Sequence, residues 1–309
     1  MSSIRRFSTS AAVSHSIKSI GVVGAGQMGL GIAYVAAKTA RVPVKILDSS
    51  EQQLQKSLAF AAVVDKLFEK DVAKGKLSKE DADAARARIS PISQVTELDG
   101  TDLIIEAVSE NLPLKQKIFK QLAETVPLTT ILGSNTSSIS LSTIAAAAKS
   151  DSFNAQENAV SASRVVGFHF FNPVPVMPLI ELIPALQTSS KTLATAKSFG
   201  QALGKTITTS QDTPGFISNR LLMPFINESI EVLEKGIATR EDIDATLRLG
   251  MGHPMGPLTS IGLDTCLAIM QTLQTETGDT KYRPSVLLGR MVAAGWMGKK
   301  SGKGFYDYN

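Results

Sequence analysis

The chain has 309 residues, about twice the length of a usual single domain, so two domains, or one large α/β domain with an appendage, are expected. With 43% hydrophobic and 19% charged residues, 23 Gly and 13 Pro, the composition excludes a disordered, collagen-like or disulfide-stapled chain, and the single Cys266 excludes an intramolecular disulfide or a cysteine-built metal site. The net charge is +4, but Arg5, Arg6 and Lys18 supply three of those charges from the first 18 residues, which excludes a strong nucleic-acid footprint elsewhere.

That first segment, MSSIRRFSTSAAVSHSIK, is Ser-rich, has paired Arg and lacks acids; the first carboxylate of the chain is Asp48. It reads as a mitochondrial transit segment over 1–18, cut near residues 7–10 and addressing the protein to the matrix. Next, a β-branched run at 17–23 leads into GAGQMG at Gly24 to Gly29 and an Ala-rich stretch to Lys38, the pattern of strand, tight turn and helix. A second apolar run at 42–47 ends in Asp48 and completes a βαβ unit, so its strands are parallel. Helical spacing over 51–74 and a capped start at Ser78 predict a helical hairpin. Strands follow at 103–108, 130–134, 164–170 and 179–183, with a helix at 114–125; residues 151–163 read as a surface loop. A helix to Leu203 and a strand at 205–210 close the alternation. Beyond DTPGF the pattern is helical, at 215–235, 239–249, 258–275 and 284–294. The expected architecture is α/β: a Rossmann-type parallel-sheet domain over 19–212 with a helical hairpin insertion, then an all-α domain over 213–309. No apolar run approaches the length of a membrane span.

In GAGQMG, Gly24 allows the sharp turn, Gly26 lets backbone approach a pyrophosphate, Gly29 permits close helix packing, and Ala25, Gln27 and Met28 complete the turn at a helix N-terminus. A lone glycine motif is weak. Preceded by a strand, followed by a helix and joined by Asp48 at the end of the next strand, it is strong. A carboxylate there accepts from ribose hydroxyls and repels a 2′-phosphate, which favours NAD over NADP.

The chain has three His: His15, His169 and His253. His169 ends one predicted strand, and Glu181 lies on the next. Spacing leaves two readings open, an imidazole–carboxylate acid–base pair or a satisfied core His with Glu181 at a strand end.

The strings GAGQMG, SENLPLKQKIF, SNTSSI, HFFNPVPVM, DTPGFISNRLL, PMGP and GKKSGKGFY, in this order over residues 19–306, resemble the short-chain L-3-hydroxyacyl-CoA dehydrogenases, including 3-hydroxybutyryl-CoA dehydrogenases. The resemblance implies NAD-dependent, reversible oxidation of an L-3-hydroxyacyl-CoA to the 3-ketoacyl-CoA. It implies His169 as general base with Glu181 its partner, Ser137 at the substrate hydroxyl and the nicotinamide side, and Asn219 on the substrate. Glu110, Lys115, Asn172 and Lys300 match cofactor-contacting positions. It further implies a homodimer through the C-terminal domain, an acyl-CoA partner and no metal. The hairpin sequence AFAAVVDKLFEKDVAKGK departs from the polar and basic pattern that relatives offer to CoA; Lys66, Lys70, Lys74 and Lys76 could attract its phosphates or form a solvated face. Two rivals share these features, a dehydrogenase of a small 3-hydroxy acid and an inactive NAD-binding protein.

Overall fold

The computed structural model describes residues 15–48, 64–259 and 262–308, and the chain divides into two compact units, Met1–Asp212 and Thr213–Asn309. In the first unit, eight short strands form one sheet: β1 Ile20–Val23, β2 Val44–Leu47, β3 Ile89–Ile92, β4 Leu103–Glu106, β5 Ile131–Ser134, β6 Val165–Phe170, β7 Leu179–Pro184 and β8 Thr206–Thr209. Their order is β3-β2-β1-β4-β5-β6-β7-β8. Every neighbouring pair is parallel except β6 with β7. That exception departs from the all-parallel expectation for a simple reason. Residues 171–178 are too few for a crossover and can only fold the chain back on itself.

The helices of this unit are α1 Gln27–Val35, α2 covering described residues 64–73, α3 Lys79–Arg86, α4 Leu112–Thr125, α5 Leu141–Ala147, α6 Ala155–Ser163 and α7 Ser190–Ala202. They cover a sheet whose central strands β1, β4, β5 and β6 are buried throughout. The start of the expected hairpin lies outside the described residues. Its remainder is anchored on α1: the Tyr34 and Phe68 rings lie 4.7 Å apart, Tyr34 Oη donates to Asp71 Oδ2 at 2.6 Å, and Lys38 pairs with the same carboxylate.

Three expectations are corrected here. Residues 151–163 are not all loop, because α6 occupies their second half. Asn154 Oδ1 accepts from Glu157 N at 3.0 Å while Glu157 Oε2 accepts from Asn154 N at 2.8 Å, a reciprocal cap that substitutes for the missing apolar periodicity. Strand β3 was not expected, since ISPI contains Pro91; it forms at the sheet edge, where a missing N–H is tolerated. Finally, residues 15–18 belong to the body of the first unit. Ile17 is 4% exposed within its core, His15 packs edge-on against Phe199, and Lys18 N donates to Asp102 Oδ2 at 2.6 Å. Residues 1–14 lie outside the described part.

The second unit comprises α8 Ser218–Glu234, α9 Arg240–Ala245, α10 Leu263–Thr277 and α11 Val286–Ala293 around a core that includes Met223, Ile230, Met270, Leu273 and Tyr282. Helix α8 starts later than expected because Gly215 and Phe216, at φ of +80° and +50°, form the turn before it. No helix among the described residues is long and apolar enough to cross a membrane.

Candidate active site

The chain order reverses between β1 and β4, and the carboxyl ends of these strands open a crevice, the usual ligand position in such sheets. GAGQMG fills it. Gly24 has φ of +106°, and a Cβ there would lie 2.7 Å from Ala107 O. A Cβ at Gly29 would lie 1.8 Å from Gly24 O, so α1 can start this close to β1 only with glycine at that position. At Gly26 a Cβ would meet nothing within 4 Å. Gly26 is the N-cap of α1 and supplies no side-chain cap, so the helix dipole and first-turn N–H groups face this open space. A pyrophosphate fits that cradle. Asp48, just past β2, accepts from Ala25 N at 2.9 Å and so braces the turn. Gln27 Nε2 donates to Asn172 Oδ1 at 3.1 Å, and Met28 packs on the core.

His169 and Glu181 are direct register partners across β6 and β7, so their side chains share one face of the sheet. Nδ1 and Glu181 Oε2 are 2.7 Å apart, with the residues only 6% and 1% exposed. The carboxylate accepts from Nδ1–H, which leaves Nε2 as the ring nitrogen with a lone pair. The Phe171 ring lies 4.9 Å from the imidazole, and Asn135 Oδ1 accepts from Phe170 N at 2.9 Å, tying the end of β5 to the end of β6. Glu181 is therefore not exposed at a strand end but buried against the imidazole.

Ser137 sits on a turn after β5 held by one carboxylate. Glu110 Oε1 accepts from Ser137 N (2.8 Å), Ser138 N (2.9 Å) and Thr136 Oγ1 (2.6 Å). Beneath it, Lys115 Nζ lies 2.7 Å from Glu106 Oε1 and 3.4 Å from Glu110 Oε2, with the Lys115 and Glu106 side chains 0% exposed. Glu106 Oε2 also accepts from Ser134 Oγ at 2.7 Å. Burial pushes the Glu110 carboxyl up, but the Lys115 cation and the donors of residues 136–138 outweigh it and hold Glu110 below the usual carboxylate range. Glu110 and Lys115, expected at the cofactor, are therefore also the support of the Ser137 turn. Sequence reasoning missed Glu106; its only signal is an acid closing the apolar strand LIIE.

The first unit thus carries Gly24 to Gly29, Asp48, Glu110, Lys115, Ser137, His169, Asn172 and Glu181 on or beside the interior strands of one sheet, most of them past the carboxyl ends of β1, β2, β4 and β5. Asn219 and Lys300 belong to the second unit. Asn219 is 8% exposed in the first turn of α8, and Lys300 pairs with Asp264 of α10.

Comparisons with known proteins give the family. The model of the 3-hydroxyacyl-CoA dehydrogenase NAD binding domain matches residues 19–213, and that of the C-terminal domain of the same family matches residues 215–308. A probable 3-hydroxybutyryl-CoA dehydrogenase of Bacillus subtilis is 44% identical over 94% of this chain and 98% of its own. The human mitochondrial hydroxyacyl-coenzyme A dehydrogenase is 39% identical over 100% of this chain and 97% of its own. Among solved structures, the (S)-3-hydroxybutyryl-CoA dehydrogenase of Ralstonia eutropha superposes with a TM-score of 0.87 at 44% identity, covering 95% of this chain and 100% of that one. With both family domains matched in order over nearly its whole length, the chain belongs to the 3-hydroxyacyl-CoA dehydrogenase family, an NAD-binding group of oxidoreductases acting on CH–OH.

Proposed function

We propose that this chain oxidises L-3-hydroxyacyl-CoA thioesters, with 3-hydroxybutyryl-CoA in the accepted range, to 3-ketoacyl-CoA, and runs the reverse reaction. The buried His169–Glu181 pair at 2.7 Å, on the sheet that carries the glycine turn, carries the reading. When bound, NAD supplies the hydride acceptor. His169 Nε2 takes the proton from the substrate hydroxyl, and Glu181 stabilises the imidazolium that results. Ser137, set by Glu110, contacts that hydroxyl. A chain that had lost activity would have no need of a buried charged pair on the cofactor-binding sheet.

Acetoacetyl-CoA should be reduced with NADH at a rate far above that for free acetoacetate; equal rates would favour the small-acid reading. Asp48→Ser should erode the preference for NAD over NADP, because the ribose-binding carboxylate that repels a 2′-phosphate is gone. Wild-type activity that is equal with both cofactors would refute this role.

We further propose location in the mitochondrial matrix and a homodimer through the second unit. The acid-free N-terminus and the 39% identity to the human mitochondrial enzyme support the first; the Bacillus subtilis relative, at 44%, is more similar. Because Ile17 is part of the core, cleavage must precede His15, as cutting near residues 7–10 does; N-terminal sequencing of the imported protein checks this. Exposed Leu221 (68%), Ile237 (69%) and Val286 (59%) support the second, and light scattering reads the mass.

A further inference from the structure

Residues 171–178 connect the strand of His169 to the strand of Glu181, and they are held at three places. At the first, the Phe171 ring lies tilted against the His169 imidazole and Asn172 accepts from Gln27 of the glycine turn. In the middle, Val174 is 2% exposed and sits on α1, where a Cβ at Gly31 would lie 2.8 Å from Val174 Cβ. At the last, Lys205 Nζ donates to Val174 O at 2.7 Å and Met177 O at 2.8 Å, and Thr206 N closes on Pro178 O at 2.7 Å.

The Lys205 clamp is unusual in its chemistry. Lys205 is 9% exposed, both of its ammonium acceptors are neutral carbonyls, and the neighbouring charge is another cation, Lys38. Burial and Lys38 together push its pKa down. An ammonium kept in such a place carries a desolvation cost, and among the described residues no carboxylate pairs with it, Asp71 being engaged by Lys38. A residue of the same shape without charge would avoid that cost but take this donor from the buried Val174 O and the part-buried Met177 O.

We propose that Lys205 is a positioning residue for the oxidation: its ammonium fixes the 171–178 turn, and through Phe171 and Asn172 the turn fixes the imidazole of His169 relative to the glycine turn that holds the dinucleotide. This rests on His169 being the base. The turn touches the base at one residue and the cofactor cradle at the next, so a shift of its clamped end moves the two relative to each other.

The test uses the full chain, with fluorescence titration of NADH counting intact cofactor sites. Lys205→Met should lower kcat per NADH-binding site by about 10–100-fold, the loss expected when reacting groups are misplaced by about an ångström. KM for acetoacetyl-CoA should stay within about threefold, and Lys205→Arg, which restores two donors, should recover most of the rate. In a Glu181→Gln background, where the aligned pair is already broken, Lys205→Met should cost much less than in wild type. A kcat per site within about twofold of wild type, or an equal loss in both backgrounds, overturns the proposal. If Lys205→Met yields no folded protein, Lys205→Gln, with one donor group, carries the same readouts. His169→Ala, run alongside, separates the failures: full turnover there refutes the base, whereas an inactive His169→Ala beside a normal Lys205→Met refutes only the clamp.

Discussion

His169→Ala should lose about 10²–10⁴-fold in turnover, the span of a removed general base, while NADH binding stays nearly unchanged. The separation follows from the layout. The cradle is built by Gly24, Gly26, Gly29 and Asp48 at the ends of β1 and β2, and His169 on β6 contributes no atom to it. Glu181→Gln keeps an acceptor for Nδ1–H but removes the charge, so turnover should fall by less than in His169→Ala. Steady-state rates with acetoacetyl-CoA and NADH, beside NADH titration, check both variants. If His169→Ala keeps near wild-type turnover, His15 and His253 are the imidazoles left to test in the described chain; the first packs edge-on against Phe199, and Nδ1 of the second bonds to Met255 O.

The largest loss of stability is expected at Lys115. Its ammonium joins Glu106 and Glu110 with no exposure to water, so Lys115→Ala leaves two carboxylates facing a cavity with no cation. Breaking a buried pair from one side costs about 3–5 kcal/mol, which should appear as a lower denaturant midpoint. Glu106→Gln added to Lys115→Met should recover much of the loss, since an uncharged pair needs no counter-ion; no recovery would show that packing, not charge, sets the cost. The pH dependence has a definite sign. The Glu110 pKa is depressed in the fold, so its contribution is complete above its ordinary value of 4.5 and is lost as pH falls through the lower folded value. Without Lys115 the depression shrinks, and the acid limit of the fold moves to higher pH. Because the same carboxylate holds Ser137 N, activity should fail over the same acid range.

The parts of the site that depend on short-range rules were legible in the sequence. The glycine spacing and Asp48 at a strand end are local patterns that gain their meaning together, and the spacing put a His and an acid on consecutive strands while leaving two readings of that pair open. That β6 and β7 are antiparallel was implicit in the short connection 171–178, yet the all-parallel expectation overrode it. What stayed hidden is tertiary. Nothing about LIIE says that Glu106 will be buried with Lys115, or that Asn135 will bond across to Phe170, because those partners meet only when α4 packs beside β4 and β5 pairs with β6. Helix α6 was hidden for a different reason: its cap was in plain view at Asn154 and Glu157, but a helix with little apolar face gives no periodicity to read.

The alternation of β6 and β7 bears on how the His169–Glu181 pair tolerates mutation. His169 and Glu181 occupy one face, while Phe168, Phe170, Ile180 and Leu182 occupy the other and belong to the core, each 2% exposed or less. Sliding either strand by one residue would push the imidazole or the carboxylate into that oily layer, at a cost of several kcal/mol for an unpaired charge. Alignment errors are thus penalised on the side remote from the chemistry. Large-to-small changes at Phe168 or Leu182, which touch neither proton nor substrate, would loosen this check and surface as lost turnover before lost fold.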